Sequence, residues 1–138
     1  MIRNLFGTLA GVAVALLIML SVEYLQDALY PLPDYVDPDD ATVTGAVILM
    51  MPLPAKLIIV SAWFLAAFGG GWIALRITDW RWSSIIVMLL AIAGGIINII
   101  QLPYPAWMQA GFVLLPPLGA WAAERLHRKP YPGEPLLG

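Results

Sequence analysis

No cysteine occurs in the chain. Disulfides, thiol nucleophiles, Cys-ligated metals and iron–sulfur clusters are thereby excluded, and the redox compartment leaves no trace. Histidine occurs once, at His127, so the chain alone cannot hold an intramembrane haem between two histidines. There is no HExxH, P-loop or GxSxG signature. With no such machinery visible, the expectation is a protein that is not an enzyme and that carries no metal and no cofactor. Charge is scarce: Asp, Glu, Lys and Arg make up 12% of the residues, where a soluble domain has about a quarter. A net charge of −2, with no basic patch interleaved with aromatics, argues against nucleic acid. What remains is apolar. Hydrophobic residues are 61% of the chain and the mean hydropathy is +0.83. The composition predicts an all-α integral membrane protein, and 138 residues suit a single membrane domain, 1–138.

An apolar helix needs about 20 residues to cross a bilayer. Four stretches meet that length: about 4–25, 54–78, 82–102 and 105–126. Four spans put both termini on one side. Arg3, Arg76, Arg81, Arg125, Arg128 and Lys129 then share that side, leaving only Lys56 opposite. The bias of Lys and Arg toward the cytoplasm predicts a four-helix transmembrane bundle, N-in and C-in. A cleaved signal peptide is the alternative for the first span. Its apolar run exceeds a 7–15-residue h-region, and "MLSVEYL" offers no small-residue cleavage site, so the span is expected to be retained.

The loop 26–53 is then external. From Val22 to Asp40 the chain carries six carboxylates and no Lys or Arg. "YPLPDYVDP" is expected to be extended, since each proline fixes its own φ and biases its predecessor away from helix. "DDATVTGAVILMMP" predicts a short helix capped by Asp39 or Asp40 and stopped by Pro52. Its apolar face, including Val43, Val47, Met50 and Met51, would lie on the membrane surface or on the bundle. "DPDD" gathers oxygen ligands but lacks the spacing of a calcium loop, so a solvated acidic turn is the expected reading. The last segment, 130–138, is rich in proline and glycine and is expected to be flexible.

In lipid, helices associate through close backbone approach at small residues. Gly7 and Gly11 form one such stripe with Ala15; Gly70 and Gly71 lie in another; Gly94, Gly95 and Gly119 supply the rest. The stripes predict an intramolecular bundle or, alternatively, docking of a partner helix. "GGG" at 69–71 is either a hinge lining a cavity or a tight crossing against Gly94–Gly95; the crossing is expected. Pro116 and Pro117 remove two backbone donors and are expected to kink the last helix.

Polar residues are unevenly distributed in depth. Glu23, Lys56, Ser61, Asn98, Gln101 and Gln109 fall within about two turns of the external face. An ionisable residue within a span marks a candidate site, so these six form a candidate ligand-binding cluster, with Glu23 and Lys56 at similar depth and able to pair. The alternative is that they reach the headgroup layer, Lys56 by snorkelling. At the other end Glu124 and Arg128 are an i, i+4 pair beside a basic cluster suited to anionic lipid.

Glu23, "YPLP" with its following "DPDD", "MPLP" before the second span and "AAFGGGWIALRI" within it resemble an uncharacterised family of small bacterial four-span integral membrane proteins. The resemblance covers most of the chain and implies that architecture; it brings no activity with it. Small multidrug transporters are less similar, since their essential Glu lies deep in the first helix, and so are dual-topology fluoride channels, whose charge bias is weak. The expected function is a non-catalytic accessory or structural subunit of a larger membrane assembly, or a scaffold. Its partners would be membrane lipids and other transmembrane subunits or further copies of itself. The alternative is a lipid or small-solute binding or transport protein acting as an oligomer, bound lipid being the one small molecule expected.

Overall fold

Five helices follow one another over residues 1–127, which the computed structural model describes: α1 (Ile2–Leu29), α2 (Ala41–Met50), α3 (Leu53–Thr78), α4 (Arg81–Gln101) and α5 (Ala106–His127). The basic residues Arg128 and Lys129 and the expected flexible tail 130–138 lie outside the described residues. Helices α1, α3 and α4 are long and apolar enough to cross a membrane. At 1.5 Å per residue even α4 extends about 32 Å, against about 30 Å of hydrocarbon. Helix α5 has 22 residues but contains Pro116 and Pro117 and is not among those three. It runs unbroken through both prolines.

The long helices cover the four apolar stretches read from the sequence. The main difference is at α1, which continues past residue 25 to Leu29. Its first helix breaker is Pro31, so Gln26 and Asp27 project from the same helix as Glu23 rather than from a loop. Asp40, not Asp39, caps α2, its carboxylate accepting from the backbone N–H of Thr42 at 2.9 Å and of Val43 at 3.4 Å. Pro52 follows α2 and is the N-cap of α3.

Helix α3 is the centre of the packing. Alanines and glycines from Ala55 to Ala74 are buried along it, and α1, α4 and α5 all pack on it, with α4 touching the other three. The glycines allow that approach. A Cβ on Gly70 would lie 2.5 Å from the carbonyl oxygen of Gly11, and one on Gly11 would lie 2.5 Å from that of Gly70. A Cβ on Gly119 would meet the Phe64 carbonyl of α3 at 2.5 Å. The expected crossing of "GGG" on Gly94–Gly95 is corrected: Gly69 faces Ile18, Gly70 faces α1 and Val87, and Gly71 faces Ser84 and Ala123. Gly94 lies instead against the Trp63 ring and Gly95 against Phe112. Helix α3 passes through "GGG" without unwinding.

The two ends of the bundle differ. One, the turn end, holds the start of α1, the α3–α4 turn and the end of α5. Asp79 makes the turn with φ 49°, a left-handed conformation that Asp tolerates better than most residues. The other, the loop end, holds the 30–40 segment, α2 and the α4–α5 linker. There Ile48 of α2 joins a buried cluster with Val60, Trp63, Tyr104, Met108 and Phe112. Phe112 contacts Trp63 at a centroid distance of 5.3 Å and Tyr104 edge-on at 4.8 Å, pairs worth about 0.5–1.5 kcal/mol each beyond burial. The inward face of α2 is Gly45 and Ile48, while Val43 and Met50 point away. Gly45 abuts Pro103 of the α4–α5 linker.

Candidate functional site

A cavity of about 280 Å³ opens at the loop end between α1, α2, α3 and α4. Helix α1 supplies Glu23, Gln26 and Asp27; these lie at i, i+3 and i+4, so one face of the helix presents all three. Thr44 and Ile48 of α2 and Met51 just after it wall the cavity, Trp63 and Ala62 of α3 lie beneath, and Asn98 and Tyr104 close the far side. A second cavity of about 190 Å³ lies deeper, between α1, α3 and α4. Among the described residues only apolar ones line it, including Val12, Leu16, Ala66, Val87 and Ala91. Met19 and Trp63 line both, so the two adjoin. Ligand pockets usually begin near 300 Å³; the two together reach that class.

Of the six residues singled out from the sequence, Glu23 and Asn98 line the first cavity and the other four do not. Lys56 and Glu23 form no ion pair. The Lys56 ammonium instead donates to the carbonyl oxygen of Leu49 at 3.0 Å, because the end of α2 lies within its reach. Ser61 is exposed and bonds back to Ile58 O at 2.8 Å. Gln109 donates to the Tyr104 carbonyl at 2.8 Å, fixing the linker, and Gln101 is exposed.

Gln26 is the residue that sequence reasoning missed. It is only 7% exposed. Its amide N–H points toward Met51 Sδ at 3.9 Å, a weak acceptor, and its carbonyl oxygen Oε1 is buried without a partner. Its spacing from Glu23 was the available signal. Across the cavity the Tyr104 hydroxyl donates to Asn98 Oδ1 at 3.3 Å, and Asn98 Nδ2 donates to Gly94 O at 3.4 Å. Burial raises the Tyr104 pKa above its ordinary value near 10, and the negative charge of Glu23 raises it further. Tyr104 therefore stays a neutral hydrogen-bond donor.

The turn end carries a second polar group, also unforeseen. Thr78 Oγ1 and Ser83 Oγ lie 2.9 Å apart, the Ser83 hydroxyl donates to Trp80 O at 2.6 Å, and Trp80 N–H donates to Thr78 Oγ1 at 3.1 Å. His127 Nε2 approaches Asp79 Oδ1 to 3.0 Å with its side chain fully buried. Arg3 donates to Thr78 O at 3.1 Å. Glu124, expected beside Arg128, pairs with Arg81 at 3.2 Å. These contacts tie the start of α1 and the end of α5 to the α3–α4 turn, and fastening is the role their geometry supports. No family model, no curated protein and no solved structure matches the chain.

Proposed function

We propose that the chain is a non-catalytic, multi-pass membrane protein that binds a lipid or small amphiphile at one end of its helix bundle. The adjoining cavities carry this reading: the one at the rim sets Glu23, Gln26, Asp27 and Asn98 among apolar walls and the deeper one is apolar, so a headgroup finds polar partners at the rim and an alkyl chain finds apolar walls in both. The expectation of an accessory subunit drew on the small-residue stripes. Gly7, Gly11, Gly70, Gly71 and Gly119 all face other helices of the same chain, which leaves those stripes no argument for a partner helix.

In this reading α5 is the fourth span, the loop end is external and both termini are cytoplasmic in a bacterial inner membrane. The charges support it. Arg3, Arg76, Arg81 and Arg125 gather at the turn end, while the loop end has Lys56 against Glu23, Asp27, Asp34, Asp37, Asp39 and Asp40. The resemblance to the four-span family agrees with the same arrangement.

Mild extraction and native mass spectrometry test the function. The wild-type chain should carry an amphiphile of lipid mass. Ala91→Phe, which fills the deep cavity from α4, should lose it while keeping the helical circular dichroism and elution volume of the wild-type chain. Recovery of wild type free of any amphiphile would remove the binding reading, and recovery bound to other polypeptides would restore the assembly one.

A further inference from the structure

The wall of the loop-end cavity is one-sided in its chemistry. Among the described residues, Glu23 and Asp27 bring two carboxylates, Gln26 brings a buried carbonyl oxygen with no donor, and no Lys, Arg or His lines the space. An acceptor buried without a partner is unfavourable, so the chamber is completed by a donor. The Asn98 amide is oriented by its bonds to Gly94 and Tyr104, leaving its Oδ1 a further lone pair. Trp63 and Tyr104 add aromatic rings to the lining, the side-chain class with which cations interact favourably.

Resting on the amphiphile-binding reading above, we infer that this chamber receives a protonated primary amine, the headgroup of a molecule whose alkyl chain passes Met19 and Trp63 into the deep cavity. An ammonium has three donors and no acceptor, matching Gln26 Oε1 and the two carboxylates together. A hydroxyl headgroup satisfies Gln26 and gains nothing from the charges. A quaternary ammonium gains from the charges and gives Gln26 no hydrogen. A phosphate headgroup alone is repelled. The amine can belong to an ethanolamine phospholipid or to a free long-chain amine.

The experiment uses the full chain in dodecyl maltoside, with binding read by native mass spectrometry and thermal shift. The probes are dodecylamine, dodecanol, dodecyltrimethylammonium and a single-chain lysophosphatidylethanolamine. Dodecylamine should bind at least tenfold more tightly than dodecanol. The double substitution Glu23→Gln with Asp27→Asn, at exposed positions, should remove most of that preference, the ratio of the two probes being taken on the variant itself. Gln26→Leu should weaken the amine tenfold, and Gln26→Glu should retain it, which separates loss of an acceptor from loss of fold. Competition by the lysolipid assigns the amine to a lipid headgroup, and its failure to compete assigns a free amine. Equal binding of dodecylamine and dodecanol would overturn the amine inference and leave the amphiphile reading standing; no binding of any probe would overturn both. Equal binding of the trimethylammonium probe would overturn the assignment of Gln26 as an acceptor for the amine.

Discussion

Gly70 shows how one missing methyl group sets the architecture. A Gly→Ala change in an open helix gains about 1 kcal/mol of helix propensity. Here the added carbon would press on the Gly11 carbonyl oxygen at 2.5 Å, which belongs to a helix backbone and cannot rotate away. Overpacking typically costs about 1–3 kcal/mol, so Gly70→Ala should destabilise the bundle. Gly94→Ala should be close to neutral, because its new carbon meets only the edge of the Trp63 side chain at 3.2 Å. Thermal unfolding in detergent checks the ordering, and equal effects would mean that the α1–α3 seam is looser than its geometry. Tyr104 makes a separate residue-scale prediction. Burial and then Glu23 raise its pKa above about 10. The un-ionised phenol is therefore favoured by folding, and that stabilisation is complete below pH 10 and lost as pH climbs through the raised value. Ultraviolet titration of tyrosinate should show a late component that Tyr104→Phe removes. A Tyr104→Phe profile superimposable on wild type would contradict it.

At the scale of elements, α2 depends on one cap and covers one cavity. Asp40 satisfies two N–H groups at its start, and replacing such a cap with Ala costs about 1 kcal/mol. Asp40→Ala should therefore accelerate hydrogen exchange across Ala41–Met50 about fivefold and leave α3 unchanged. Uniform acceleration of both would mean that α2 opens only with the whole bundle. This cap was legible in the sequence, as were the four apolar helices, because length, proline placement and short-range capping are properties of the chain read in order. What could not be read was azimuth. A membrane helix is apolar toward lipid and toward its neighbours alike, so α1 gives no contrast between faces. Depth alone grouped Glu23 with Lys56 and Ser61; rotation about the helix axis separates them and brings Gln26 and Asp27 beside Glu23 instead. The pairing of Asp79 with His127 was hidden for a different reason. It joins the α3–α4 turn to the end of α5, 48 residues later, and no local pattern encodes such a contact.

For the whole molecule, the decisive question is whether α5 crosses a membrane alongside α1, α3 and α4, the three helices long and apolar enough to do so. Its length of about 33 Å suffices, although Gln109 and two prolines reduce its apolarity. Its packing gives the stronger argument. Arg81 starts α4 and lies 3.2 Å from Glu124 near the end of α5, and α5 begins only a short linker after α4 ends. If α4 crosses, α5 must return through the same thickness to bring Glu124 back to Arg81. The alternative, α5 lying along the surface, breaks that contact and the buried seam of Gly119 on Phe64 with it. Cysteine labelling decides between them on a clean background, since the native chain contains none. Asp37→Cys, in the exposed loop, should react with a membrane-impermeant maleimide in intact spheroplasts. Arg125→Cys, exposed at the far end of α5, should react only after permeabilisation. Labelling of both in intact spheroplasts would mean that α5 stays on the loop side, and labelling of Arg125→Cys alone would invert the orientation that the basic residues predict.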